Sequence, residues 1–316
     1  MSQQVIGTHS GPFHADDVMA VALLRRHPQF QGAAWLRSRD TEALDKCDIV
    51  VDVGEEFDHE RKRYDHHQRD FSLTMSMLSR HKIKSNTQLS SAGLVYWYYG
   101  RDIIAHKLQL EQSELQLEWI FVRVYWNIIN EIDWIDNHGS AKEFIKTGIS
   151  SRIASLNPDW EELEADYDTR FETAMEEAWR EFVHTLNRAV SDWRAKAALT
   201  ERVKRRREEE ESGRVLVLTD KYVAWQSLIG EVEKEEGLGR DNNILYIITE
   251  KPGDIFGINV VKNRRPFPEA WRGMSGSDLE AVCGLKGARF VHSGGHYATT
   301  STKEAAMELV NIMLRR

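Results

Sequence analysis

The segment QVIGTHSGPFHADDVMAVALLRRH (residues 4–27) contains the pattern on which the fold prediction depends. Its first part, QVIGTH, is a short apolar run that predicts a buried strand, whereas VMAVALLRRH carries apolar residues on one helical face. The turn GPFHADD lies between them. The segment therefore predicts a strand-loop-helix unit, from which α/β sheets are built.

Two further apolar runs extend this pattern. AAWLRS (33–38) and DIVVDVG (48–54) are bounded by polar residues, and the second is typical of a central parallel strand that ends in Asp52. Helical periodicity follows from about residue 89 to 137. We therefore predict an α/β fold in which an N-terminal parallel sheet is flanked by helices.

The middle of the chain predicts a long helical connector. Asn157-Pro158 followed by acidic residues is typical of a helix start, and the helical stretch continues to about residue 211. Strand and helix patterns then alternate again, from RVLVLT (214–219) to a final helix from about residue 302. We place the boundary at 200–213, which gives a domain over 1–200 that includes a helical insertion and a smaller α/β domain over 213–316.

Composition limits the class of protein. The 316 residues suit two domains by the guide of about 150 residues each, and the apolar share of 41% is sufficient for a core. The two cysteines lie far apart, which favours a reducing compartment. The N-terminus resembles no export signal, and the most apolar long segment, LEWIFVRVYWNIINEIDWI, is interrupted by polar residues. We therefore expect a cytoplasmic protein without a membrane span.

The formal charge of -8 argues mildly against a large nucleic-acid surface, because phosphate binders usually carry a net basic surface. Bound divalent cations weaken that objection. Two such ions would place positive charge where a phosphate must approach.

Imidazole and carboxylate side chains gather at predicted strand ends and in the segments that follow. Loops after the carboxyl ends of parallel strands converge on one crevice, so these side chains are expected to meet there. Imidazole with carboxylate and without thiolate suits manganese, cobalt, iron, zinc or magnesium, and the set is too large for one tetrahedral ion. We expect two ions that lie about 3.5 to 4 Å apart, share a bridging carboxylate and activate a water. The residues are His9, His14, Asp16, Asp17, Asp52, Asp65, His66, His67, Asp133 and Asp136.

Each piece alone has an ordinary structural interpretation. The spacing His9-x4-His14-x-Asp16 occurs more often as hydrogen-bonded loop residues than as a metal site. Asp52 is a plausible cap of the next segment, and EIDWIDNHG is a plausible acidic helix end, although acids there oppose the helix dipole. Taken together and in this order, the clusters favour metal.

Six blocks of the sequence carry a specific resemblance to a known family: GTHSGPFHADD, VVDVG, RYDHHQRDF, EIDWIDN, RRPFPEAWRG and FVHSGG. They are similar to signature blocks of the Myg exonuclease family, a branch of the DHH phosphoesterase superfamily, and the likeness runs from about residue 5 to the end. It implies an N-terminal DHH-type metal-binding catalytic domain, a C-terminal substrate-binding domain and two divalent ions, with Mn²⁺ first and Mg²⁺, Co²⁺ or Zn²⁺ as alternatives.

The resemblance also implies roles for single residues. His9, His14 and Asp52 would hold one ion, and Asp16, Asp52, His66 and Asp133 the other, with Asp52 bridging. Asp136 is the rival of Asp133, because a three-residue step leaves both on one helical face. His67 would face the phosphate as an electrophile or acid, and Asp17 is the second candidate for catalysis.

The C-terminal domain carries the candidates for substrate binding. Gly294 and Gly295 allow close approach of a phosphate, and His296 is placed to contact it. Arg264, Arg265 and Arg272 offer forked donors that suit phosphate oxygens. An ordinary turn with surface arginines is the alternative interpretation.

Three classes of function remain. The first is a metal-dependent phosphodiesterase, specifically an exonuclease that trims RNA or short oligonucleotides. The tryptophans in AWQ and FPEAWRG would stack on bases in such an enzyme, although tryptophan at a helix start is just as often a core residue. The second is a phosphohydrolase for a small phosphate ester or anhydride such as a nucleotide, pyrophosphate or polyphosphate. The third is a non-catalytic binding protein. RNA or an oligonucleotide is the expected partner, and a homodimer is left open.

Overall fold

The computed structural model describes residues 3–109, 114–139, 147–162, 165–219 and 223–316. The chain divides into two compact units, Met1–Val190 and Ser191–Arg316. The division falls inside a long helix, Tyr167–Lys204, and so precedes the expected boundary at 200–213. No helix in the described ranges has the length and apolar character that crossing a membrane requires.

The first unit alternates strands and helices before it becomes helical. Its strands are β1 (Val5–Thr8), β2 (Ala34–Arg37), β3 (Ile49–Val51), β4 (Phe57–Asp58) and β5 (Arg63–Tyr64). Its helices are α1 (Ala15–Leu24), α2 (Thr41–Asp45), α3 (Met75–Leu78), α4 (Ser91–Leu108), α5 (Glu114–Val124), a π-helical turn (Tyr125–Ile129), α6 (Asn130–His138), α7 (Ile149–Ala154) and the start of α8 (Tyr167–Lys204).

The five strands form one sheet in the order β2-β1-β3-β5-β4. The β1–β2, β1–β3 and β3–β5 pairs are parallel, and β4 returns antiparallel to β5. The carboxyl ends of β1, β2, β3 and β5 therefore share one edge. The predicted α/β class with a parallel sheet and flanking helices is confirmed.

Helix α1 is buried along its whole length between the sheet and the helices. Val18, Met19 and Leu23 are fully buried in the same apolar core as Ile6 of β1 and Ile103 of α4. Burial of such side chains is worth about 1.5 to 3 kcal/mol each. This burial fixes the position of the first turn of α1, which carries Asp16 and Asp17.

The predicted helix start at Asn157-Pro158 is wrong. No helix begins there, and α8 begins at Tyr167. Asn157 instead uses its side-chain amide across the fold: the Phe13 N–H donates to its Oδ1 at 2.9 Å, and its Nδ2 donates to the Phe13 carbonyl at 2.7 Å. A residue type that favours helix caps is thus recruited to brace a distant loop.

The second unit contains its own sheet. Its strands are β6 (Val215–Leu218), β7 (Tyr246–Lys251), β8 (Ile255–Val260), β9 (Ala288–Val291) and β10 (Tyr297–Thr300), in the order β6-β7-β8-β10-β9. Only β6–β7 is parallel among these pairs. Its helices are the end of α8, α9 (Arg206–Glu209), α10 (Ile229–Glu235), α11 (Gly276–Cys283) and α12 (Lys303–Arg315), with 3-10 turns at Val261–Asn263 and Glu269–Trp271.

Candidate metal centre

The loop after β1 brings two histidines to the carboxyl edge of the sheet. His9 follows β1 directly and is buried. His14 is the N-cap of α1, and its backbone N–H donates to the Asp17 carboxylate at 2.8 Å. The partial positive charge of the helix N-terminus favours acidic residues in this first turn. The bonds between Asn157 and Phe13 hold the loop one residue before His14.

Asp52 follows β3 in an uncommon backbone conformation. Its φ of +58° lies in the left-handed region, which costs a non-glycine residue roughly 1 to 2 kcal/mol, although aspartate tolerates it better than most residues. Its N–H donates to the Tyr64 carbonyl at 3.1 Å, which extends the pairing of β3 with β5 by one residue. Strain of this kind at a buried carboxylate is typical of functional sites.

The two carboxylate oxygens of Asp52 face different groups. Oδ2 lies 3.4 Å from Nε2 of His9 and 3.6 Å from Nδ1 of His14. Oδ1 lies 3.6 Å from Nε2 of His66 and 3.7 Å from Nδ1 of His67. This geometry suits a carboxylate that bridges two ions.

The DHH segment follows β5, and its two imidazoles lie 4.4 Å apart but differ in burial. Nε2 of His66 is buried and lies 3.0 Å from Asp136 Oδ2 and 3.4 Å from Asp16 Oδ2. The side chain of His67 is 55% exposed, and its Nδ1 lies 2.6 Å from Asp65 Oδ1. Asp65 thus orients His67 and also accepts the N–H of Glu55 at 2.6 Å.

Asp16 is held by the start of α4. Its carboxylate accepts the backbone N–H groups of Ser91, at 2.9 Å, and of Ala92. Unpaired N–H groups at a helix N-terminus form a natural anion site. The carboxylate is therefore fixed by the backbone before any cation binds.

Asp133 does not join the other site residues. Its carboxylate accepts hydrogen bonds from the N–H and Oγ of Ser90, at 3.0 and 2.9 Å, and from the Tyr125 hydroxyl at 3.2 Å. Its rival Asp136 lies beside His66. The structure thus brings together Asp136 and not Asp133, because α6 packs Asp133 against the start of α4.

The described residues form three overlapping groups whose ligand atoms lie within 4.8 Å of one another. Asp52 belongs to the first two, and His66 belongs to the last two. Asp17, expected as a catalytic residue, lies among the potential ligands, with its Oδ2 3.2 Å from Nε2 of His9. The groups are His9, His14, Asp17 and Asp52; Asp52, His66 and His67; and Asp16, His66 and Asp136.

Several buried atoms of these groups lie close to charged partners but make no well-aligned hydrogen bond within the described part of the chain. They are His9 Nε2, Asp17 Oδ2, both oxygens of Asp52 and His66 Nε2. An unsatisfied buried polar group costs about 1 to 3 kcal/mol, so such a cluster requires an explanation. A mixed set of imidazole nitrogens and carboxylate oxygens fits divalent cations such as Mn²⁺, Co²⁺, Fe²⁺, Zn²⁺ or Mg²⁺.

Burial and charge shift the proton affinities of the site. Burial raises the pKa of Asp17 to about 7. Burial opposes protonation of His66, but the carboxylates of Asp136, Asp16 and Asp52 outweigh it and raise the His66 pKa. Without cations the cluster therefore retains protons that bound metal would displace.

The pKa values of Asp133 and His67 are also raised. Burial raises the pKa of Asp133 to about 8. The hydrogen bond to Asp65 raises the pKa of His67. Both groups therefore hold a proton to higher pH than they would in water.

A pocket of about 290 Å³ opens over this cluster. Imidazole and carboxylate groups line it, and Arg39 is the cationic side chain beside them. Its described lining is His9, His14, Arg39, Asp52, Val53, Gly54, Glu55, Asp65 and His67.

In the second unit, the predicted glycines form a tight turn between two histidines. Gly295 has a φ of +68°, and a Cβ there would lie 2.6 Å from Nε of Arg272. The rings of His292 and His296 are 4.2 Å apart, and the N–H of Gly294 donates to His292 Nδ1 at 3.0 Å. His292 is not among the predicted substrate-binding residues, and the HSGGH segment places it at the opposite end of the turn from His296.

The expectation that Arg264 and Arg265 bind phosphate finds no support in their contacts. Arg264 forms a forked pair with the buried Glu233, at 2.5 and 2.7 Å. Arg265 donates to the carbonyls of Met313 and Leu314 near the end of α12. Their forks satisfy groups inside the unit, and these partners are too distant in the chain for a local pattern to indicate them.

Arg272 lies beside the predicted substrate-binding turn. Its Nε donates to the Phe267 carbonyl at 2.9 Å, close to Gly295. Substrate binding by Arg272 and by the turn at Gly294, Gly295 and His296 stays a prediction.

Known proteins resemble this chain over nearly its whole length. A protein of Caenorhabditis elegans named MYG1 is 37% identical over 96% of this chain and 93% of its own. The human protein named MYG1 exonuclease is 35% identical over 99% of this chain and 86% of its own. Among solved structures, RecJ with Mn²⁺ from Thermus thermophilus is 13% identical with a TM-score of 0.26. That match spans 99% of this chain but only 52% of RecJ, and so low a TM-score supports no structural conclusion.

A family model named MYG1_exonuc, described as an uncharacterised protein family (UPF0160), matches residues 5–314. The expected likeness is therefore confirmed over almost the entire sequence. With this match and relatives at 35 to 37% identity, the chain belongs to the MYG1 exonuclease family.

Proposed function

We propose that this protein is a metal-dependent phosphodiesterase, specifically an exonuclease that trims RNA or short oligonucleotides. The observation that carries the proposal is Asp52, whose two buried oxygens face separate groups of imidazole and carboxylate donors. Two ions bound there would supply an activated water and neutralise phosphate oxygens, and Mn²⁺ is among the ions that suit the mixed donor set. The sequence similarity to proteins named exonuclease favours a nuclease within this class.

The chain's own residues supply orientation and a proton. Asp16 is fixed by the N-terminus of α4, and His14 by the start of α1. His67 is half exposed and holds its proton to higher pH because Asp65 raises its pKa, so it is suited to donate a hydrogen bond or a proton to the phosphate or its leaving oxygen.

The size of the pocket limits how much of a substrate it can enclose. At about 290 Å³ it lies just below the range of about 300 to 1,000 Å³ typical of ligand pockets. Such a volume suits one phosphoryl group with part of its substituents. The same size keeps the alternative open, a phosphohydrolase for a nucleotide, pyrophosphate or polyphosphate.

The experiment is a substrate screen with Mn²⁺-loaded protein. The panel consists of bis-p-nitrophenyl phosphate, pyrophosphate, tripolyphosphate and single-stranded RNA labelled at either end, with Asp52→Asn as the control. Stepwise shortening of labelled RNA by the wild type alone supports the exonuclease, and the labelled end that persists reports polarity. Release of phosphate from pyrophosphate or tripolyphosphate without RNA cleavage supports the alternative. No turnover of any substrate contradicts both.

A further inference from the structure

Arg39 has a position that neither the metal groups nor the sequence blocks explain. It lies two residues after β2, at the carboxyl edge of the sheet, and is exposed. Of the described residues that line the pocket, it alone carries a permanent positive charge. Asp52, Glu55 and Asp65 line the same pocket, so a phosphate that enters it meets carboxylates as well as histidines.

The guanidinium of Arg39 is anchored at its base. Its Nε donates to the Ser10 carbonyl at 3.3 Å, one residue after His9. The terminal nitrogens take no part in that bond, and no carboxylate in the described part of the chain forms an ion pair with them. The guanidinium is thus held at the loop that carries His9, and the N–H groups of its two terminal nitrogens remain available to a ligand.

Arg37, two residues earlier, shows the contrasting structural case. Its side chain is 2% exposed, lies over the Phe171 ring at 4.7 Å and donates to the Gly11 carbonyl. Arg37 therefore stabilises the loop from inside the fold. Arg39 makes only the single Nε bond among the described residues and faces the pocket.

We propose that Arg39 is a substrate-binding residue that holds a phosphate of the substrate through its terminal N–H groups. The planar fork matches two phosphate oxygens, which a lysine ammonium does not reproduce. The cation also offsets the repulsion between the phosphate and the carboxylates that line the pocket. This inference rests on the proposed function and adds a phosphate contact that is separate from the metal ligands.

The test compares Arg39→Ala and Arg39→Lys with Arg69→Ala. Arg69 is also exposed and lies two residues after His67, but it is not among the residues that line the pocket. For each variant we would measure bound Mn²⁺, Tm, kcat and KM for labelled RNA. Anisotropy of a fluorescein-labelled single-stranded oligonucleotide, with EDTA and with Ca²⁺ in place of Mn²⁺, would give Kd at several salt concentrations.

Arg39→Ala should weaken oligonucleotide binding by about 10-fold or more, as expected for loss of a charge-assisted hydrogen bond. The slope of log Kd against log salt should fall by about 0.7, the value for one phosphate contact on a single strand. Arg39→Lys should keep most of the slope but not the full affinity. Bound Mn²⁺ and Tm should stay at wild-type values, and Arg69→Ala should match the wild type in every measurement.

Wild-type Kd and salt slope in Arg39→Ala, together with intact RNA cleavage, would overturn the inference and leave the proposed function standing. Loss of bound Mn²⁺ in Arg39→Ala would also overturn it, because Arg39 would then act by supporting the His9 loop. A wild-type protein that neither binds nor cleaves RNA would contradict the proposed function itself, and the inference with it.

Discussion

At the scale of single residues, Asp52, His66 and His67 have different positions in the site. Asp52 presents one oxygen to His9 and the other to His66. His66 is buried among carboxylates, whereas His67 is half exposed and bonded to Asp65. The two rings lie 4.4 Å apart and both approach Asp52 Oδ1, so their burial and their other partners distinguish them.

Asp52→Asn should reduce bound Mn²⁺ at both positions and lower activity by more than the roughly 10- to 100-fold typical of residues that only support metal ligands. The amide keeps the shape but offers one oxygen and no charge. Metal analysis of the purified variant, with single-turnover cleavage, is the measurement. Near-normal turnover would remove Asp52 as the bridge.

His66→Ala should lower bound Mn²⁺, whereas His67→Ala should keep the metal and reduce kcat by about 10²- to 10⁴-fold, as for loss of an acid or charge stabiliser. The raised pKa of His67 keeps it protonated to higher pH, so Asp65→Asn should shift the alkaline limb of the kcat profile to lower pH. Equal loss of metal in the two histidine variants would contradict this division.

At the scale of elements, the contact between α4 and α6 selects the aspartate that reaches the site. A Cβ at Gly93 of α4 would overlap Oδ1 of Asp133, so the two helices approach closely only because that residue is glycine. Asp133 then caps α4 through Ser90, and the next residues of α4 hold Asp16. Asp133 supports the site through α4.

Asp136→Asn should lower metal affinity strongly, whereas Asp133→Asn should retain most of the metal, because an amide can still accept from Ser90. The two variants differ by one helical step and serve as matched controls. Isothermal titration with Mn²⁺ distinguishes them. Complete loss of binding in Asp133→Asn with normal binding in Asp136→Asn would reverse the assignment.

At the scale of the whole molecule, the acidic cluster makes stability depend on both metal and pH. Burial raises the pKa of Asp17 to about 7 and that of Asp133 to about 8. The folded state thus binds more protons than the unfolded state, in which these groups titrate near a pH of about 4. In metal-free protein the free energy of unfolding should therefore fall as pH rises from about 4 to 8.

Mn²⁺ should raise Tm, because it binds the folded state. At a free Mn²⁺ concentration of 100 times Kd, binding adds about 2.7 kcal/mol to the free energy of unfolding. The rise should be larger at about pH 8 than at about pH 6, since metal competes with the protons held by Asp17, His9 and His66. Differential scanning calorimetry at matched ionic strength checks both signs. An equal shift at the two pH values would indicate that these groups are not ligands.

The parallel sheet and the chemistry at its edge follow from local patterns in the sequence. Apolar runs that end at His9 and Asp52 carry their own strand signal, and parallel strands bring their ends to one side. The basic segment HERKRY before the DHH motif carries no such signal, and β5 forms there through its pairing with β3. Three finer features depend on the packed fold. Asp136 and not Asp133 lies in a candidate metal group, Asp17 lies among the potential ligands, and Arg264 pairs with Glu233. Those features depend on how far a helix is rotated and what packs against it, and contacts between residues distant in the chain set that rotation.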